Sequence, residues 1–73
     1  MTIGERIRVL REGRELSQGA LGELVHMTQR KVSYLETGKC EPSVDDIREL
    51  CLLFNVSADY LLGLKKGLNY PER

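Results

Sequence analysis

Residues 16–39 read LSQGALGELVHMTQRKVSYLETGK. One short pattern occurs in it twice: an apolar residue, a hydroxyl residue, and a second apolar residue four positions after the hydroxyl. Leu16-Ser17 is followed by Leu21, and Met27-Thr28 by Val32. A Ser or Thr so placed accepts a hydrogen bond from an otherwise unpaired N–H of the first helical turn. The flanking apolar pair then closes as a hydrophobic staple. Two helices are expected, over 17–25 and 28–36. Only His26 and Met27 separate Val25 from the Thr28 cap, so the two must cross steeply.

The pattern recurs downstream. Pro42-Ser43 is followed by Ile47, and Val56-Ser57 by Leu61; the Pro42 staple is the weakest of the four. Ser43 and Asp46 also have the spacing of a capping box. Upstream, Ile3, Ile7 and Leu10 form one stripe of a helix. The stops agree with the starts. Gly13 closes the first helix near Arg14, Gly38 follows the third, and Pro42 blocks continuation into the fourth. Asn55 ends the fourth, and Gly63 or Gly67 the fifth. No stretch alternates with period two, so no sheet is expected. The chain is read as all-α, with five helices over 2–13, 17–25, 28–36, 43–54 and 57–63. Residues 1–64 form the expected domain, and 65–73 a polar tail.

At 73 residues the chain can hold one small domain with a thin core and no sizeable catalytic cleft. Formal charge is zero, but residues 1–39 carry +2 and residues 40–73 carry −2. That asymmetry permits a basic patch without proving a nucleic-acid partner. The N-terminus breaks its apolar residues with charges, unlike a secretory signal, and the longest apolar run, Leu50 to Phe54, is too short to cross a bilayer. A reducing, cytoplasmic setting with Cys40 and Cys51 as free thiols is expected.

A helical wheel at about 100° per residue shows what 28–36 offers. Val32, Thr28 and Leu35 share one narrow face; Arg30, Ser33, Tyr34 and Thr37 lie opposite, with Gln29 and Lys31 at the edges. Glu36 falls near the apolar stripe, an odd place for a charge. The outer face fits double-stranded DNA. Arg bonds bidentately to guanine, Gln to adenine, and Ser to several base edges; Tyr offers a ring and a hydroxyl. Thr28 leaves N–H groups at the helix start, where a phosphate is welcome, and Lys39 lies within reach of another. A merely solvated polar face is the competing reading, and the tight turn before Thr28 weighs against it.

On these residues the chain resembles the lambda-repressor/Cro-like (XRE-type) helix-turn-helix regulators over residues 3–64. The pattern is carried by IGERIRVLRE, LSQGALGELV, VSYLETGKCEPS and VSADYLLGL, with the helix-turn-helix unit at 18–37. Leu21, Val25, Met27, Val32 and Leu35 hold its apolar positions, and Gly22 the small position where the helices touch. The resemblance implies a five-helix DNA-binding domain and a transcriptional repressor reading a pseudo-palindromic operator. It implies that Gln18 touches backbone phosphate and braces Gln29. Gln29, Arg30, Ser33 and Tyr34 would face the major groove, and Lys31 and Lys39 would contact or attract phosphates. Glu36 would pair with Arg11, which accounts for its inward position. Tyr60 and Leu64, with tail residues up to Tyr70, would form the contact of a DNA-bound homodimer. The sequence departs from the pattern in having His26 where Gly is usual in the turn, Leu24 at a site more often polar, and Gly19 inside a helix.

Cys51 lies on the apolar stripe of the fourth helix and reads as core, whereas Cys40 lies in a loop beside Lys39. His26, Cys40 and Cys51 lack the paired spacing of a structural zinc site, so no metal is expected. With one His, no Gly-rich phosphate loop and no nucleophile motif, neither an enzyme nor a cofactor is expected. A protein-interaction module and an antitoxin-like protein remain rival functions for the same fold.

Overall fold

The computed structural model describes residues 1–69 and 71. Helices α1 (Ile3–Gly13), α2 (Gln18–Val25), α3 (Gln29–Thr37), α4 (Val44–Phe54) and α5 (Ala58–Leu62) follow one another, with no strand among the described residues. The hydroxyl residues read as helix starts stand one position outside the helices, as N-caps in extended backbone. Ser17, Thr28, Ser43 and Ser57 accept from the N–H groups of Ala20, Lys31, Asp46 and Tyr60 at 3.0–3.2 Å. α3 runs one residue longer than expected, to Thr37, and α5 stops one residue sooner, at Leu62.

A fifth cap escaped the pattern. Thr2 accepts from the Glu5 N–H at 3.1 Å, and the Glu5 carboxylate accepts from the Thr2 N–H at 2.7 Å, a complete capping box. Four positions after Thr2 stands Arg6, not an apolar residue, so no staple announced it. At the other ends, His26 (φ 60°), Gly38, Asn55 and Gly63 adopt the left-handed conformation that terminates α2 to α5. α1 ends differently: Arg14 is its cap and Glu15 takes the positive φ, at 56°.

All five helices contribute to one core: Ile7 from α1, Leu21 and Val25 from α2, Val32 and Leu35 from α3, Leu50 and Phe54 from α4, and Leu61 from α5. Two glycines set the closest approaches. A Cβ on Gly22 would collide with the Met27 carbonyl oxygen, so the turn between α2 and α3 can fold back only onto a glycine. A Cβ on Gly4 would collide with the Leu35 and Glu36 carbonyl oxygens, so α1 meets the end of α3 at a backbone-to-backbone distance. Gly19 has no such neighbour.

Two arginines of the first helical segment tie the far side of the fold. Arg14 donates from Nη2 to the Phe54 carbonyl oxygen at 3.3 Å and lies 5.7 Å over the Phe54 ring, at the C-terminal end of α4 where a cation is favoured. Arg6 stacks 5.4 Å over the Tyr60 ring of α5. Cys51 is half-buried on α4, and burial raises its thiol pKa. Cys40, although in a loop, also packs against the core. Leu24 is exposed.

Candidate nucleic-acid interface

α3 buries only Val32, Leu35 and Glu36. The rest of its surface is turned outward: Gln29, Arg30, Tyr34 and Thr37 are exposed and Ser33 is half-buried. Its first turn is capped once, by Thr28, so the N–H groups of Gln29 and Arg30 have no partner within the helix. Past its end, the Lys39 ammonium lies 5.3 Å over the Tyr34 ring, while the Lys39 backbone N–H donates to the Tyr34 carbonyl at 2.9 Å. The first contact holds the ring and the cation on one patch of surface.

The inner side of α3 is oriented by a polar network. Arg11 Nε donates to Glu36 Oε2 at 2.6 Å and Nη2 to Oε1 at 3.1 Å, a two-pronged pair. Nη1 donates to the Leu16 carbonyl at 2.8 Å. The pair is almost dry, with side-chain exposures of 12% for Arg11 and 3% for Glu36. The Glu36 hydrogen bond raises the Arg11 pKa further than burial lowers it. Gln18 completes the set by donating from Nε2 to Glu36 Oε1 at 3.2 Å. One carboxylate thus joins α1, the start of α2 and the end of α3.

Two side chains here have partners with no local signal in the sequence. The Gln18 amide is drawn to Glu36, whose Oε1 faces the start of α2. The Lys31 ammonium, on a side chain that is 42% exposed, lies against Asp46 at the start of α4, 3.1 Å from Oδ1 and 3.0 Å from Oδ2. Asp46 is buried and also accepts from the Ser43 N–H at 3.0 Å. Burial pushes the Asp46 carboxyl up, but the Ser43 N–H, the Lys31 ammonium and the Ser43 hydroxyl outweigh it and hold the pKa below its ordinary value. The Asp46 half of the capping box was legible in the sequence; its pairing with Lys31, fifteen residues away, has no local spacing to reveal it.

Away from α3, Tyr60, Leu62, Leu64 and Leu68 remain exposed, with Leu61 alone of its segment buried. Tyr60 and Leu64 line a shallow groove with Arg6, Asp59 and Lys66. Tyr70 lies outside the described residues. Among the described residues no group of His, Cys, Asp and Glu could hold a metal ion, and no helix is long and apolar enough to cross a membrane.

This arrangement is a helix pair joined by a tight turn that folds back onto Gly22, with the second helix's donors outward. It has recognisable relatives. Residues 2–61 match the family model of a helix-turn-helix domain. The chain is 31% identical over 72 residues to the HTH-type transcriptional activator BcrR of Enterococcus faecalis, a match covering 99% of this chain and 35% of that protein. It is 35% identical over 60 residues to the repressor protein C2 of Salmonella phage P22, covering 82% of this chain and 28% of that protein. The chain therefore spans about a third of the length of these two relatives. The crystal structure of the P22 c2 repressor in complex with a synthetic operator superposes with a TM-score of 0.81 at 34% identity, over 85% of this chain and 94% of that one. With its five helices in order, its Gly22 contact and its family match, the chain belongs to the helix-turn-helix domains of the lambda-repressor/Cro-like (XRE-type) regulators.

Proposed function

We propose that this chain is a sequence-specific, double-stranded-DNA-binding transcriptional repressor that reads a pseudo-palindromic operator as a homodimer. The observation that carries the reading is the outer face of α3. Gln29, Arg30, Ser33 and Tyr34 point outward from a helix whose inner face is clamped by the Arg11–Glu36 pair. A rigid helix with that set of donors suits the major groove, Arg30 toward guanine and Gln29 toward adenine. Thr28 and the free N–H groups behind it are placed to receive a phosphate, and Lys39 a second one. The second amide proton of Gln18, not used by Glu36, is available to a third. Occupancy of a site overlapping a promoter is sufficient for repression and requires no further surface. The protein acts by binding rather than catalysis, in the cytoplasm.

The dimer reading rests on Tyr60 and Leu64, which stay 39% and 48% exposed beside Leu62 and Leu68. A two-fold contact there would bring two α3 helices to successive major grooves, about 34 Å apart. The test is selection of bound duplexes from a random DNA pool. Enrichment of a two-fold site supports the reading. A well-folded protein that enriches no sequence refutes it, and one that enriches a single half-site refutes the dimer.

A further inference from the structure

Lys31 stands next to Arg30 on the helix assigned to DNA, yet its charge is already engaged. Both oxygens of the Asp46 carboxylate lie within 3.1 Å of its ammonium. The nearby Asp45 is occupied with Arg48 at 2.6 Å, so Asp46 is the carboxylate serving Lys31. Asp46 cannot swing away to release it. It is only 9% exposed and is held by the reciprocal hydrogen bonds with Ser43 that start α4. The Lys31 side chain is itself 42% exposed, but the Asp46 side chain is only 12% exposed; if Lys31 left for a phosphate, that carboxylate would keep only the Ser43 N–H as a donor, which is costly.

We infer that Asp46 restrains binding to arbitrary DNA by withholding the Lys31 ammonium from the phosphates. The inference rests on the DNA-binding reading above. A lysine free to neutralise one phosphate strengthens binding to every duplex alike, because it releases counterions whatever the sequence. Neutralised by Asp46, Lys31 adds nothing to that sequence-independent affinity, and the base contacts of its neighbours make up a larger share of the total. Asp46 is thus a positioning residue, acting through Lys31 and touching no DNA itself.

The test uses Asp46→Asn, whose amide oxygen still accepts from the Ser43 N–H and keeps the cap, with Lys31→Ala in both backgrounds. Binding to a random-sequence duplex is followed by fluorescence anisotropy across a salt series, with a thermal melt of each variant as the check on folding. Asp46→Asn is expected to bind the random duplex up to about eightfold more tightly at 0.1 M salt, with a salt slope steeper by about 0.9. Lys31→Ala should change wild-type binding by less than about twofold, and should abolish the gain in the Asp46→Asn background. A folded Asp46→Asn protein with no gain beside a binding wild type overturns the restraint and leaves the DNA reading intact. So does an equal loss from Lys31→Ala in both backgrounds, which would make Lys31 a phosphate contact. If neither wild type nor Asp46→Asn binds any duplex, both readings fail; binding by Asp46→Asn alone supports the restraint.

Discussion

Removing Glu36 should come close to unfolding the protein. Glu36→Ala strands the Arg11 guanidinium, whose side chain is 12% exposed, with the Leu16 carbonyl as its remaining partner. An uncompensated buried charge of this kind costs about 3–5 kcal/mol. A domain of 73 residues has a total stability of roughly 4–11 kcal/mol. The substitution therefore consumes much of it, and the melting temperature should fall by roughly 15–30 °C. Urea unfolding followed by circular dichroism reads the loss directly as a drop in midpoint. The paired replacement Arg11→Met with Glu36→Leu should recover most of the stability, because removing both charges leaves neither stranded. A Glu36→Ala loss below about 1 kcal/mol, the scale of an exposed pair, would refute the account of a dry, orienting ion pair. A double variant no better than the single one would show that packing, not charge, is what Glu36 supplies.

The other expectations concern backbone, bases and pH. Gly22→Ala should cost about 1–3 kcal/mol, since its Cβ meets the Met27 carbonyl rather than a flexible side chain, whereas Gly19→Ala, whose Cβ would meet only the Ser17 hydroxyl at 4.0 Å, should stabilise by up to about 1 kcal/mol in the same urea assay. Arg30→Ala or Gln29→Ala should relax base preference at one operator position by about 1–3 kcal/mol in competition binding; Lys39→Ala should weaken all duplexes alike, and a changed preferred sequence would contradict its phosphate role. The Asp46 pKa is lower folded than unfolded, so its contribution is present above the ordinary value of 3.8 and is lost as pH falls below it through the folded pKa. Acid melts of wild type and Asp46→Asn should therefore converge in that range, and a difference that persists below it would count against the assignment.

Most of the fold was legible because its signals are local. Each of Ser17, Thr28, Ser43 and Ser57 lies next to its own staple, and the hydrogen bonds they make span three residues. The exposed face of α3 was equally legible, since a wheel needs only the helix. The misses are contacts across the fold. Lys31 and Asp46 are fifteen residues apart, Arg14 and Phe54 forty, and each pairing depends on how helices pack rather than on any spacing. Gly4 was missed for the same reason: its neighbours are carbonyls of α3, and from α1 alone it is an ordinary first-turn glycine. Glu36 stood between these cases. Its position near the apolar stripe was visible, but its partner came from family resemblance, and the Gln18 contact came from neither.

The Glu36 network also explains how a helix with so little apolar surface holds its place. Val32 and Leu35 are the apolar residues α3 gives to the core. Hydrophobic contact is non-directional, so two side chains on one stripe resist removal of the helix far better than its rotation about its own axis. A two-pronged Arg–carboxylate pair is directional: its hydrogen bonds lie in one plane and fail when the helix turns. With Arg11 fixed on α1 and Gln18 at the start of α2, the Glu36 carboxylate is held from two sides. Gly4 adds a third restraint by bringing α1 against the last carbonyls of α3. The consequence is that Gln29, Arg30, Ser33 and Tyr34 keep a set direction without contributing to the core themselves. Under the proposed function, that freedom from packing would let those positions change with the DNA sequence to be read while the angle at which they are presented stays the same.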